Sequence, residues 1–184
     1  MAEITANENV TLDGVFEDPE NWSGPFQSPD MFEFIGKGMQ SENALLFGRK
    51  TYEKFVTFWP NSDMEPFASK MNKSRRFVVS TTLEHAPWGD WDPCTVINGN
   101  VPDTIAGLKR QSSQDFVILG SGQLVRTLIG AGLLDRLDLM VHPLVLGTGK
   151  RLFDGDLNAS LRLIESHAFS GGVVILGYGP ATES

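Results

Sequence analysis

The residues that could do chemistry are concentrated at three points where a predicted strand ends in small or hydroxyl-bearing residues. These segments are Gly48-Arg49-Lys50-Thr51, Ser80-Thr81-Thr82 and Gly120-Ser121-Gly122-Gln123-Leu124. The first and third also open a predicted helix, where free backbone N–H groups and the positive dipole end favour phosphate. In open α/β sheets, ligands bind beyond the carboxyl ends of the strands. The pattern therefore predicts a nucleotide-phosphate site at this edge of a sheet.

Two basic residues, Arg49 and Lys50, stand at the start of the first of these helices. Cations at a helix N-terminus oppose the helix dipole, so their presence favours a bound anion; the alternative is a solvated helix end. A guanidinium donates two parallel hydrogen bonds to phosphate, so Arg49 suits the 2′-phosphate that distinguishes NADPH from NADH. The Gly120-Ser121-Gly122 turn is less specific, because Val125 replaces the last glycine of the Gly-x-Gly-x-x-Gly motif. The alternative interpretation is that this turn needs glycine for its backbone conformation alone and binds no phosphate.

Composition and charge exclude several classes of function. The chain has 184 residues and a formal net charge of −8, so it lacks the basic field of a general nucleic-acid binder. Its longest apolar runs have the length of strands, which predicts no membrane span, and its first residues lack a secretory signal. Cys94 is the one cysteine, which excludes an internal disulfide and favours a reducing compartment. We therefore expect a cytoplasmic protein.

The three histidines, His85, His142 and His167, are scattered along the chain, and none stands four residues from another or near Cys94. A structural zinc site needs about four ligands, so the sequence predicts no metal site. Each histidine is interpreted as a surface residue or as a hydrogen-bonded core residue. A serine hydrolase is excluded because the Gly-x-Ser-x-Gly elbow is absent.

Strand-like apolar runs alternate with helical patterns along the chain. Strands are predicted over residues 4–12, 44–47, 77–81, 95–97, 116–119, 137–141, 161–166 and 173–178, and helices over 28–39, 52–56, 103–111 and from 122 onward. Residues 15–29, 58–74 and 83–93 are predicted to be loops. This order predicts one α/β domain over residues 1–184: a mixed, mostly parallel central sheet flanked by helices, with a C-terminal antiparallel hairpin.

Several motifs occur in an order typical of one known fold. They are Val10-Thr11-Leu12-Asp13-Gly14, Gly48-Arg49-Lys50-Thr51, Ser80-Thr81, Gly120-Ser121-Gly122, Leu133-Leu134-Asp135-Arg136-Leu137 and, most specific, the segment PLVLGTGKRLF at 143–153. With them the chain resembles the dihydrofolate reductase fold over nearly its whole length. The finer similarity is to the riboflavin-biosynthesis reductase branch, the C-terminal domain of a bifunctional deaminase–reductase, in stand-alone form. The zinc-binding motifs of the deaminase half are absent.

The resemblance implies an NADPH-dependent oxidoreductase that transfers hydride to a small heterocyclic substrate, such as 5-amino-6-(5-phosphoribosylamino)uracil. It implies that the Gly48 and Gly120 turns bind the cofactor phosphates, that Ser80 to Thr82 line the adenosine side, and that Asn9 lies beside the nicotinamide. A homodimer acting on a small molecule is the expected assembly. Dihydrofolate reductase activity and a non-catalytic nucleotide-binding homodimeric module are the alternatives.

Four residues are candidates for the substrate side of the site. Asp13 ends the strand expected to lie nearest the nicotinamide, although an Asp-Gly turn explains it equally well. Asp30 stands in the first turn of a predicted helix, where capping is the alternative. Trp22 and Tyr52 are predicted pocket walls, with core packing as the alternative.

Overall fold

The computed structural model describes residues 1–181, which form a nine-stranded sheet flanked by five α-helices. The strands are β1 (Ile4–Thr11), β2 (Ala44–Gly48), β3 (Arg76–Val79), β4 (Ala86–Trp88), β5 (Trp91–Ile97), β6 (Phe116–Leu119), β7 (Arg136–His142), β8 (Leu161–Ala168) and β9 (Val174–Pro180). The helices are α1 (Pro29–Gly38), α2 (Arg49–Phe58), α3 (Phe67–Lys73), α4 (Val101–Gln111) and α5 (Gly122–Gly130).

The strand order is β4-β5-β3-β2-β6-β1-β7-β9-β8. Strands from β5 to β7 in this order pair in parallel, whereas β4 at one edge and β9 and β8 at the other pair antiparallel. This topology confirms the predicted mostly parallel α/β sheet with a C-terminal antiparallel hairpin. Parallel strands end at one edge, so β1, β2, β3, β6 and β7 all terminate there; we name this the carboxyl edge.

Two predicted loops contain regular structure. Residues 83–93 were predicted to be a loop, but they hold β4 and the start of β5, joined by a turn at Gly89 with φ of 57°. Pro87 is tolerated because β4 is an edge strand. In residues 58–74, Pro66 directly precedes α3. Proline is tolerated there because its missing N–H removes no hydrogen bond from the helix.

One face of the sheet, which we name the α5 face, is covered by α4 and α5. Ile105 of α4 and Leu128 of α5 pack with Ile4, Ala6 and Val10, the alternate residues of β1. Period-two alternation directs this set to a single face of the strand. The same alternation places Glu8 on the α5 face, although it is a carboxylic acid.

The opposite face carries two separate clusters. One is built on β2 and β3 beneath α2 and includes Phe47, Tyr52 and Trp88, while the other packs α1 against β7 and β9 through Met31 and Ile175. Strand β1 lies between the strands of these clusters, and on this face Thr5, Asn7 and Asn9 are only partly buried, whereas Thr11 is fully buried. We name the surface formed by Thr5, Asn7 and Asn9 the β1 groove.

Within residues 1–181, no helix is long and apolar enough to cross a membrane. The same residues contain no group of three or more histidine, cysteine, aspartate or glutamate side chains placed to hold a metal ion.

Candidate active site

The two predicted glycine turns lie against each other at the carboxyl edge. A Cβ added to Gly48, at the end of β2, would lie 2.7 Å from Ser121 Cβ, closer than side-chain carbons approach. A Cβ on Gly120 would lie 3.2 Å from the Thr51 hydroxyl. Glycine is therefore needed at both positions for the turns to approach. The starts of α2 and α5 are thereby brought to one point, with the positive ends of both dipoles there.

The turn before α5 has an uncommon backbone. Gly120 and Ser121 both have positive φ, 70° and 81°, and a non-glycine residue in this region is under strain. Helix α5 begins at Gly122, where an added Cβ would meet the Phe16 ring at 2.7 Å and Leu152 at 3.1 Å. Such strain clusters at ligand clamps, so the turn has the character of a binding loop.

Arg49 connects the first helix to the end of β3. Its Nη1 donates a hydrogen bond to the Thr82 hydroxyl, and its Nε lies 2.6 Å from Glu53. The Ser80 hydroxyl accepts hydrogen bonds from the backbone N–H groups of Thr82 and Leu83, which ends β3 and turns the chain. Arg49, Thr81 and Thr82 are exposed. The structure therefore brings the first and second predicted segments together around a solvent-facing guanidinium.

Two lysines, Lys50 and Lys150, lie close together beside these turns. Lys50 is next to Lys150, whose ammonium lowers the pKa of Lys50 below its ordinary value, while Lys150 also pairs with Glu17 at 3.2 Å. Two ammonium groups side by side favour an anion between them. Sequence reasoning assigned no role to Lys150, although it lies within the most specific motif. Gln123 is exposed, and Leu124 packs in the core.

Asn9 has a partner that sequence reasoning missed. His142, at the end of β7, lies 2.9 Å from the Asn9 side chain through its Nε2 atom and is fully buried. The Trp22 ring packs edge-on against this imidazole with centroids 5.1 Å apart, and Phe26 lies at 6.0 Å. Burial lowers the pKa of His142, so the ring is neutral near pH 7.

Glu8, the residue before Asn9, is the second missed group. It is 3% exposed, its Oε1 atom has no hydrogen-bond partner in the described part of the chain, and burial raises its pKa to about 8. A carboxyl group in this state is protonated at neutral pH. Alternation along 4–12 indicated its face, but no local signal indicated that the face is covered.

Comparison with known proteins decides the family. Residues 2–175 match the sequence model of the RibD C-terminal domain. The chain belongs to the RibD C-terminal domain family. It is also 29% identical over 180 residues to the uncharacterized protein YyaP of Bacillus subtilis strain 168, covering 92% of this chain and 90% of that protein.

Solved structures show the same fold for this RibD C-terminal domain. A putative riboflavin biosynthesis protein from Shewanella sp. PV-4 superposes with a TM-score of 0.78 at 21% identity over 99% of this chain and all of the other. The deaminase/reductase of Thermotoga maritima gives 0.68 at 12% identity over 98% of this chain and 57% of its own. A dihydrofolate reductase from Enterococcus faecalis complexed with NADP(H) gives 0.64 at 15% identity over 96% and 95%. The predicted resemblance is thereby confirmed.

Asp13, in the segment Val10-Thr11-Leu12-Asp13-Gly14, connects the turn after β1 to the loop after β7. Its carboxylate accepts hydrogen bonds from the Thr11 hydroxyl at 2.6 Å and from the N–H groups of Leu146 and Gly147 at 3.2 and 2.8 Å. These bonds, that from Thr11 first, lower its pKa to about 2. An anion of this kind is a poor proton donor at neutral pH.

Asp30 is placed differently from Asp13. It accepts hydrogen bonds from the backbone N–H and the hydroxyl of Ser170, at 2.8 and 2.7 Å, and so ties the start of α1 to the turn between β8 and β9. That turn is separated from β1 by β7 and β9. The geometry gives Asp30 a structural contact and does not bring it to Asn9.

Trp22 and Tyr52 are also separated from each other. Trp22 closes over His142 and donates its indole N–H to the Glu17 carbonyl at 2.9 Å, beside the β1 groove. Tyr52 is buried in the cluster beneath α2, where its hydroxyl donates to the Pro87 carbonyl at 2.8 Å. Of the two predicted pocket walls, only Trp22 is in contact with the Asn9–His142 pair.

Proposed function

We propose that this chain is an NADPH-dependent reductase that transfers hydride to a small, flat heterocycle bound in the β1 groove. The observation that carries the proposal is the packing of Gly48 against Ser121, which joins two helix N-termini beside Arg49 and Lys50. A dinucleotide with two backbone phosphates and a third on its ribose matches this set of donors and cations.

The residues present fit the cofactor. The strained Gly120-Ser121 turn stands directly before α5, whose first N–H groups have no acceptor within the helix, and Arg49 is exposed for the 2′-phosphate. NADPH would supply the hydride, and the protein would bind and orient both partners. Asn9, in the β1 groove, is the side chain we assign to the reacting end of the site.

The family favours 5-amino-6-(5-phosphoribosylamino)uracil as the substrate, since the Thermotoga maritima relative is described as the reductase for that compound. Dihydrofolate is the competing substrate; the contact of Asp30 with Ser170 leaves the helical carboxylate engaged away from the β1 groove. Turnover of NADPH with each compound separates the two. Nucleotide binding without turnover of either one would identify a non-catalytic module.

The test of the cofactor is a titration that follows nicotinamide fluorescence with NADPH and NADH. Arg49→Ala should weaken NADPH binding about tenfold to a hundredfold, as expected for a charge-assisted hydrogen bond, and leave NADH nearly unchanged. Lys54→Ala is the matched control, because Lys54 is a half-exposed cation on the same helix, paired with Asp18 and Glu20. Equal losses for both cofactors would overturn the assignment of Arg49, and absence of NADPH binding to the unaltered protein would overturn the function.

We include a homodimer in this proposal. Strand β8 ends the sheet and exposes Leu163 and Ile164, which are 50% and 46% accessible, so a second copy has an apolar surface to cover. Light scattering coupled to size exclusion measures the mass directly. A monomer at micromolar concentration would remove this part of the proposal and leave the cofactor assignment untouched.

A further inference from the structure

The contact between Asn9 and His142 contains an unsatisfied atom. The imidazole is fully buried, its Nε2 faces the Asn9 side chain at 2.9 Å, and its Nδ1 has no hydrogen-bond partner among residues 1–181. Trp22 and Phe26 pack against the ring, and the residue has no solvent-accessible surface. One of the two ring nitrogens must therefore stay unpaired in the neutral ring.

The chemistry of that unpaired nitrogen decides the tautomer. Buried N–H groups without acceptors are rarer in proteins than buried acceptors without donors. The less costly arrangement leaves Nδ1 as a bare lone pair and places the proton on Nε2. The Nε2–H group then donates to Asn9 Oδ1, which fixes the side-chain amide of Asn9 in one of its two orientations.

The fixed orientation has a consequence for the β1 groove. With Oδ1 occupied by His142, the Asn9 group free to meet a ligand is its NH2, a pure donor. Asn9 is partly exposed on the face of β1 that lies between the α1 and α2 clusters. A donor held rigidly in a partly desolvated site selects an acceptor and rejects a second donor.

We propose that Asn9 is a specificity-determining residue, oriented by His142 as a positioning residue, whose NH2 binds a carbonyl oxygen on a planar ring. The inference rests on the proposed function and deepens it, because it names the ligand group that the β1 groove accepts. Two sources carry that group: a lactam oxygen of the heterocyclic substrate and the carboxamide oxygen of the nicotinamide. If the substrate supplies the oxygen, an amino-substituted ring of the same shape is disfavoured.

The first experiment concerns the pair itself and needs no ligand. Long-range 15N–1H correlation spectra of the uniformly labelled protein assign the tautomer of each histidine. His142 should show the Nε2–H form and no titration between about pH 6 and pH 8, near the ordinary histidine pKa of about 6.5. An Nδ1–H form, or a charged ring at neutral pH, would overturn the proposal whatever the protein binds.

The second experiment compares two probes by calorimetry in the presence of NADP⁺. 5,6-Diaminouracil presents ring carbonyls, and 2,4,5,6-tetraaminopyrimidine replaces them with amino groups on the same ring. The unaltered protein should prefer the first by about tenfold or more. Asn9→Asp, which exchanges the donor for an acceptor, should remove or reverse that preference. Asn158→Asp is the matched control, the same substitution at an exposed residue outside the β1 groove, and should retain it.

The third comparison tests the positioning role of His142. His142→Phe keeps a ring against Trp22 but lacks the Nε2–H, so it should lose most of the preference between the probes, whereas His142→Gln, which retains an amide donor, should recover part of it. Circular dichroism confirms that each variant is folded. Equal preference in all variants, together with an unchanged NADPH affinity in Asn9→Asp, would overturn the proposal.

The same variants show whether the substrate or the nicotinamide supplies the carbonyl oxygen that Asn9 binds. If Asn9→Asp weakens NADPH at least tenfold and leaves the probe preference unchanged, the acceptor is the cofactor carboxamide. If NADPH does not bind the unaltered protein, the reductase proposal fails, and the tautomer spectrum still decides the Asn9–His142 pair.

Discussion

Two carboxyl groups on one segment of chain have opposite surroundings. Glu8 lies in the interior of β1 and is buried on the α5 face. One of its oxygens has no hydrogen-bond partner within residues 1–181, and its pKa is raised to about 8. Asp13 lies in the turn that follows β1 and accepts hydrogen bonds from Thr11, Leu146 and Gly147, which lower its pKa to about 2. The number of donors around a carboxyl group, more than its place in the sequence, decides whether it is neutral or charged.

The largest expected effect is that of Glu8→Gln on the pH dependence of stability. The folded pKa of about 8 exceeds the unfolded value of 4.5, so between these values the folded chain keeps a proton that the unfolded chain has lost. Stability should therefore fall as pH rises, by about 1.4 kcal/mol per pH unit in this window. Because glutamine cannot ionise, Glu8→Gln should remove this dependence of the unfolding free energy on pH. Urea unfolding measures the unfolding free energy at about pH 5.5 and at about pH 7.5. Between these values the unaltered protein should lose roughly 3 kcal/mol more than Glu8→Gln.

Glu3→Gln supplies the control for that measurement, because Glu3 is an exposed acid just before the same strand. Its unfolding free energy should follow the unaltered protein at each pH. Parallel curves for Glu8→Gln and the unaltered protein would mean that Glu8 is ionised in the fold, and the contrast with Asp13 would then be lost.

The second effect, on Asp13, has the opposite sign with pH. Because its folded pKa lies below the unfolded value of 3.8, its contribution is complete above that value and is lost as pH falls toward 2. Asp13→Asn keeps one acceptor oxygen but places a donor opposite the N–H group of either Leu146 or Gly147, and so loosens the loop that follows β7. Trypsin should then cleave after Lys150 or Arg151 several-fold faster, as for a locally opened loop.

Time-resolved mass spectrometry of the digest measures that cleavage. Asp154→Asn is the control, since Asp154 is a half-exposed carboxylate just beyond the same loop, paired with Arg126 at 3.0 Å. A digestion rate unchanged by Asp13→Asn would show that the remaining backbone hydrogen bonds, such as that from Leu152 N–H to the Gly14 carbonyl, suffice to hold the loop.

The same contrast shows what the sequence could reveal. Asp13 was noticed because Asp-Gly is a local turn signal, and the glycine turns were predicted to share an edge because parallel strands end together. Glu8 was missed because its burial depends on α5, which begins more than a hundred residues later. His142 was interpreted as an unremarkable histidine, since its partner Asn9 stands 133 residues away in the chain.

The fold class could be predicted because strand alternation and helical periodicity are local properties of the sequence. The strand order could not be predicted in this way. The order β5-β3-β2-β6-β1-β7 arises from which apolar faces pack together, and this pairing also sets Lys50 beside Lys150. The edge strand β4 was missed for a related reason, because Pro87 lowers the strand signal while its edge position makes the proline harmless.

The smallest expected effect belongs to Asp30, a third carboxylate, whose two partners come from a single residue. Asp30→Asn keeps one acceptor oxygen for the Ser170 N–H at 2.8 Å and loses the second acceptor, for the hydroxyl at 2.7 Å. Amide exchange at Ser170 should become several-fold faster with the urea midpoint unchanged, because the turn between β8 and β9 opens locally. Glu33→Gln is the control on the same helix, where the exposed partner is Lys37. If Asp30→Asn instead abolished turnover while exchange at Ser170 stayed slow, Asp30 would serve the reaction directly, and the division between structural and functional carboxyl groups would have to include α1.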